Sequence, residues 1–118
     1  MITPAVAEES PEAVETERTA FNELVTALAN SRRNHHLVLM SSGGTVYGGD
    51  TAPYAETDTP EPVNRYGAAK LALEGIARES GVPTTVLRVA NAYGPGQQAV
   101  RGQGVIGYWL RALRDHKP

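Results

Sequence analysis

Cysteine is absent from the 118 residues. That excludes disulfides, thiolate nucleophiles and cysteine-ligated zinc, and it fits a reducing compartment. Charge of one sign is not in excess either. The formal net charge is −2, with no basic stripe and no run of like charges, so nothing electrostatic draws the chain to nucleic acid. Long apolar runs are missing, and no segment approaches membrane-spanning length. The start, Met1-Ile2-Thr3-Pro4, soon turns acidic and lacks the basic and apolar regions of a signal peptide. The expected location is therefore cytoplasmic, with no membrane partner. No G-x-S-x-G elbow occurs, which argues against a serine hydrolase. His35, His36 and His116 form no i, i+4 pair and have no carboxylate at metal-ligand spacing, so zinc is not expected.

What is present is the composition of a packed domain. Apolar residues make up 41% and charged residues 20%, which is the globular range. The length fits one domain over residues 1–118. Ser10-Pro11 reads as an N-cap with proline at the first helical position. Phe21, Leu24, Val25 and Leu28 then follow the spacing of one buried helical face, and Asn30 to Asn34 ends the helix, with Arg32 and Arg33 near its C-terminus. Leu37 to Met40 is a continuous apolar run and reads as a strand buried on both faces. Ser41 to Pro62 is loop by composition. A second helix is expected from about Arg65 to Ser80, with Gly81 as its stop and Ala69, Leu73, Ile76 and Ala77 as its core stripe. Thr84 to Val89 reads as a strand, Asn91 to Gly104 as loop, and Val105 to Arg114 as a short helix. This alternation is that of a parallel α/β sheet. Two parallel strands alone leave open edges and uncovered faces, so the expectation is a piece of a larger doubly wound domain.

Three segments carry chemistry. Ser41-Ser42-Gly43-Gly44-Thr45-Val46-Tyr47-Gly48 leaves the carboxyl end of the first strand, where ligands bind in open α/β sheets. Taken alone it reads as a solvated turn. Tyr66 and Lys70 stand four residues apart on the second helix, one above the other. A nearby cation favours a phenolate, and a phenolate is a general base. By spacing alone the pair also reads as a half-buried tyrosine beside an exposed lysine. Asn91 and Tyr93 follow the second strand on the same rim as Ser42 and Thr45. An asparagine there can either bind a ligand or cap the next turn. Gly94-Pro95-Gly96-Gln97-Gln98-Ala99 formally fits a dinucleotide fingerprint, but Gly102 and Gly104 interrupt the helix that should follow.

Together these segments resemble the extended short-chain dehydrogenase/reductase superfamily, in particular its NAD-dependent nucleotide-sugar epimerases and dehydratases of the UDP-glucose 4-epimerase kind. The likeness rests on Ser41 to Gly48, Glu56, Pro62-x-Asn64-x-Tyr66-Gly67-x-x-Lys70 and Leu87-Arg88-x-x-Asn91-x-Tyr93-Gly94-Pro95. It implies a Rossmann-type sheet, NAD as cofactor and a nucleotide sugar as substrate. Tyr66 takes the role of catalytic acid/base. Lys70 bonds the nicotinamide ribose and favours the Tyr66 phenolate. Asn91 takes the position that contacts the nucleotide diphosphate. Homodimers in the family often form through the Tyr-Lys helix, which points to Leu71 or Leu73.

Two departures qualify the resemblance. The position at which the family most often carries a catalytic serine or threonine falls on Gly43. Either Thr45 or Ser42 supplies that hydroxyl from a shifted position, with Thr45 the expected donor, or the site is incomplete. Nothing before Leu37 matches the glycine-rich strand, turn and helix that hold the cofactor pyrophosphate. The expectation is a chain without the N-terminal cofactor half or the C-terminal substrate domain, and inactive alone. Epimerisation is the expected parent reaction, since Gly43-Gly44 offers no acid/base pair for dehydration. Dehydration, reduction and a non-catalytic NAD-binding role are its rivals.

Overall fold

The computed structural model describes residues 10–48, 52–90, 92–94 and 105–116. Its elements are α1 (Pro11–Ala29), β1 (Leu37–Ser42), α2 (Arg65–Glu79), β2 (Thr84–Val89) and α3 (Val105–Arg114). β1 and β2 pair in parallel, with Leu39 opposite Val86 and Ser41 opposite Arg88. The crossover between them contains α2, which makes a β-α-β unit. α2 lies on the sheet and α1 packs on α2.

Alternation along the strands decides what α2 covers. Leu39 and Ser41 are buried on one face, while Val38 and Met40 on the other are 54% and 41% exposed. The expectation of a strand covered on both faces therefore fails among the described residues. α2 covers one side of the sheet only. The core joins Leu39, Leu73 and Ala77, with Phe21, Leu37, Ile76 and Val86 packed against them. Leu73 is 4% exposed and so is unavailable to a dimer surface. Leu24, expected on the buried face of α1, is 49% exposed. The face turned inward is centred on Val25, and Leu24 sits 100° away from it around the axis.

The helix ends differ in how they are capped. Ser10 flanks α1 without a side-chain cap bond, and Pro11 takes the first turn. The last turn of α1 holds no basic residue, so Arg32 and Arg33 lie beyond it. α2 starts at Asn64, whose Oδ1 accepts the Gly67 N–H at 2.8 Å. It ends at Ser80, with Gly81 next at φ 73°.

Two charged side chains of α2 lie inside the fold. Lys70 is 8% exposed and Glu74 is 1% exposed. Glu74 accepts a hydrogen bond from the Ser41 hydroxyl at 2.5 Å. Arg88 donates Nε to Oε1 at 3.0 Å and Nη2 to Oε2 at 2.6 Å. One carboxylate thus joins α2 to neighbouring positions on both strands. Burial pushes the Glu74 carboxyl up, but hydrogen bonds from Arg88 and Ser41, with the charges of Arg88 and Arg78, outweigh it. The net shift is downward from the ordinary value of 4.5. The contact with Glu74 raises Arg88 in turn, against burial and with help from Tyr47.

A depressed folded-state value means that this stabilisation is present above the ordinary carboxylate value. It is lost as pH falls through the lowered one. Acid titration of the chain followed by circular dichroism should show stability declining below about pH 4.5. Glu74→Gln should flatten that decline. It should also cost about 3 kcal/mol in urea unfolding at neutral pH, because Arg88 loses its buried counter-charge.

Candidate functional site

The loop after β1 is held by backbone bonds at both ends. Gly43 N–H donates to Val89 O at 3.0 Å, Val46 N–H to Ser42 O at 3.2 Å, and Val63 N–H to Thr45 O at 3.1 Å. The last of these brings the residues before α2 back onto the loop. Gly67 completes the approach. A Cβ there would stand 2.1 Å from Thr45 O, so only glycine lets the first turn of α2 touch the loop. Gly43 is constrained as well, since a Cβ would lie 2.7 Å from Arg88 O. The missing hydroxyl at this position has a physical reason in this chain: the neighbouring strand fills the space.

Ser42 and Thr45 are brought together. The Thr45 hydroxyl donates to Ser42 Oγ at 2.8 Å, with Ser42 buried and Thr45 half-buried. Tyr66 and Lys70 also come together, with the Lys70 ammonium 5.6 Å from the Tyr66 ring centroid. Tyr66 is half-buried at the second position of α2, directly before the glycine that meets Thr45. Asn91 and residues 95–104, including most of the glycine-rich fingerprint look-alike, lie outside the described residues. Tyr93 is described and is 74% exposed.

Sequence reasoning missed the support behind this site. Tyr47 is buried and stacks on Tyr54, with centroids 4.8 Å apart and planes 9° from parallel. The Arg88 guanidinium carbon lies 4.8 Å from the Tyr47 ring centre, and its Nη1 donates to the Tyr47 hydroxyl. The hydroxyl in turn donates to Ala55 O at 3.2 Å. Lys70 donates to Glu17 Oε1 of α1 at 3.2 Å. Arg88 and Tyr47 both stand in the segments that carry the family resemblance, but their pairing joins positions 41 apart. Local pattern cannot reveal it. Among the described residues, no group of histidine, aspartate and glutamate side chains could hold a metal ion.

The donor set suits polyhydroxylated ligands. Two loop hydroxyls stand at the carboxyl end of β1, with a phenol and an ammonium on the first turns of α2. The close approaches are open to test. Gly67→Ala and Gly43→Ser should each lower stability by about 1–3 kcal/mol in thermal unfolding, because backbone must move in both cases.

Comparison with known proteins identifies the family. The family model described as the NAD dependent epimerase/dehydratase family matches residues 2–118. The chain is 37% identical over 86 residues to dTDP-4-dehydro-6-deoxyglucose reductase of Escherichia coli, covering 70% of this chain and 27% of that protein. It is 32% identical over 99 residues to methionine adenosyltransferase 2 subunit beta of Rattus norvegicus, covering 80% and 30%. Among solved structures, MoeE5 in complex with UDP-glucuronic acid and NAD superposes with a TM-score of 0.75 at 30% identity, over 98% of this chain and 39% of that one. The chain thus spans about a quarter to two fifths of the length of these relatives. No helix among the described residues is long and apolar enough to cross a membrane. With a parallel β-α-β unit, a Tyr-Lys helix seated on a serine-glycine loop and a family match along nearly its whole length, the chain belongs to the NAD dependent epimerase/dehydratase family.

Proposed function

We propose that Tyr66 and Lys70 form the acid/base pair of a nucleotide-sugar epimerase that uses NAD, working within the whole protein to which this chain belongs. The observation that carries the reading is the Lys70 ammonium 5.6 Å from the Tyr66 ring centroid, beside the loop that Gly67 touches. Tyr66 takes the proton of a sugar hydroxyl as a general base and returns it after the ketone has turned over in the site. Bound NAD would supply a reversible hydride acceptor for the carbon bearing that hydroxyl, so that the two-electron oxidation would be reversed and the sugar would leave with no net redox change. Lys70 donates to the nicotinamide ribose hydroxyls. Thr45, once its hydroxyl turns from Ser42 Oγ to the substrate, supplies the hydrogen bond that Gly43 cannot, and Asn91 is assigned to the substrate diphosphate. The bound UDP-glucuronic acid and NAD of MoeE5 support this assignment of ligand classes.

Reduction without return of the hydride is the second reading, and the Escherichia coli reductase favours it. The two differ in stoichiometry. With UDP-glucose and NAD, an epimerase forms the C4 epimer and accumulates no NADH. With dTDP-4-dehydro-6-deoxyglucose, a reductase consumes one NADH per sugar. Tyr66→Phe should lower either turnover about 10³-fold. Lys70→Met should weaken NAD binding about tenfold in calorimetry, for loss of charge-assisted hydrogen bonds. Survival of turnover in Tyr66→Phe would remove the general-base role.

A further inference from the structure

We infer that Glu17 of α1 is the positioning residue for Lys70, fixing the ammonium beside the Tyr66 ring. The inference rests on the reading of Tyr66 and Lys70 as the acid/base pair. Lysine carries its charge on a flexible four-carbon stem and is almost never buried unless paired. Lys70 is 8% exposed, and its side chain meets Glu17 Oε1 at 3.2 Å with both side chains largely shielded, at 9% and 19% exposure. This is unlike the exposed Glu15–Arg18 pair on the same helix, whose side chains are 59% and 54% open to water and which contributes little. The residues are 53 apart in sequence, so the contact depends on α1 docking against α2 and not on helix spacing.

The donor count gives the pair a functional sense. An ammonium has three N–H groups. One is engaged by Glu17, which leaves two, the number that the vicinal hydroxyls of a ribose accept. Glu17 therefore sets which way the remaining two point. α1 belongs to the site through this one side chain, although none of its residues stands on the loop or the Tyr-Lys helix.

The chain has two lysines, Lys70 and Lys117, so a lysine-labelled sample gives a two-signal spectrum. The Tyr66 ring should displace the Lys70 Cε-proton resonance from its position in the urea-unfolded chain. Glu17→Ala should collapse that displacement, and Glu17→Gln, which keeps an oxygen acceptor, should retain most of it. Circular dichroism of the same samples checks that both variants fold. An unchanged Lys70 signal in Glu17→Ala, or equal loss in Glu17→Gln, overturns the inference. So does a displacement that persists in Tyr66→Leu. In turnover of UDP-glucose with NAD by the whole protein, Glu17→Ala should lower kcat about 10²-fold with KM little changed, and Glu17→Gln should recover most of it. Failure of the acid/base reading itself is distinguishable: turnover then survives Tyr66→Phe while the Lys70 displacement is still lost in Glu17→Ala.

Discussion

A carboxylate sealed from water needs both positive charge and hydrogen-bond donors, and Glu74 has both. Arg88 closes on it with two nitrogens and Ser41 adds a third donor. Because these three side chains come from α2, β2 and β1, the helix cannot slide or rotate on the sheet without breaking a buried charge pair. Arg88 also reaches Tyr47, which stacks on Tyr54 and bonds Ala55. The same cation thus holds the long loop against the strands. The position of Tyr66 and Lys70 relative to Ser42 and Thr45 follows from that arrangement. Apolar contacts among Leu39, Leu73 and Ala77 favour burial without fixing a register, whereas a bidentate ion pair has one geometry.

Much of the fold was legible because periodic patterns are local. Five elements were expected, and their boundaries fall within a few residues of the observed ones. Gly81 marks the end of α2 through backbone conformation alone. What was not legible depended on tertiary partners. Leu37 to Met40 is continuously apolar, and composition could not show that α2 covers one side only. By spacing Lys70 reads as an exposed lysine, and nothing local marks Glu74. They lie inside because Arg88 and Glu17, distant in sequence, arrive to pair with them. Asn64 was read as part of a motif, yet it also caps α2.

The candidate site divides in the same way. Tyr66, Lys70, Ser42 and Thr45 were readable as residue types in a familiar order, since their spacing is set by one strand, one loop and one helix turn. Glu17, Tyr47 and Tyr54 were not, since they act by holding other residues. The departure at Gly43 gains a cause from the structure: Arg88 O occupies the place a side chain would need. The relatives include both a reductase and a subunit of another enzyme. In this chain the Glu74–Arg88 pair holds the scaffold, and the hydroxyls, phenol and ammonium stand at its edge.

Amide hydrogen exchange in Arg88→Met tests most directly whether this ion pair holds the site together. The account predicts that the Val46 and Val63 amides, which bond Ser42 O and Thr45 O, lose protection well before those in the middle of α1. Equal loss of protection everywhere, or none at these two amides, would show that the Glu74–Arg88 pair does not position the loop and would contradict the account.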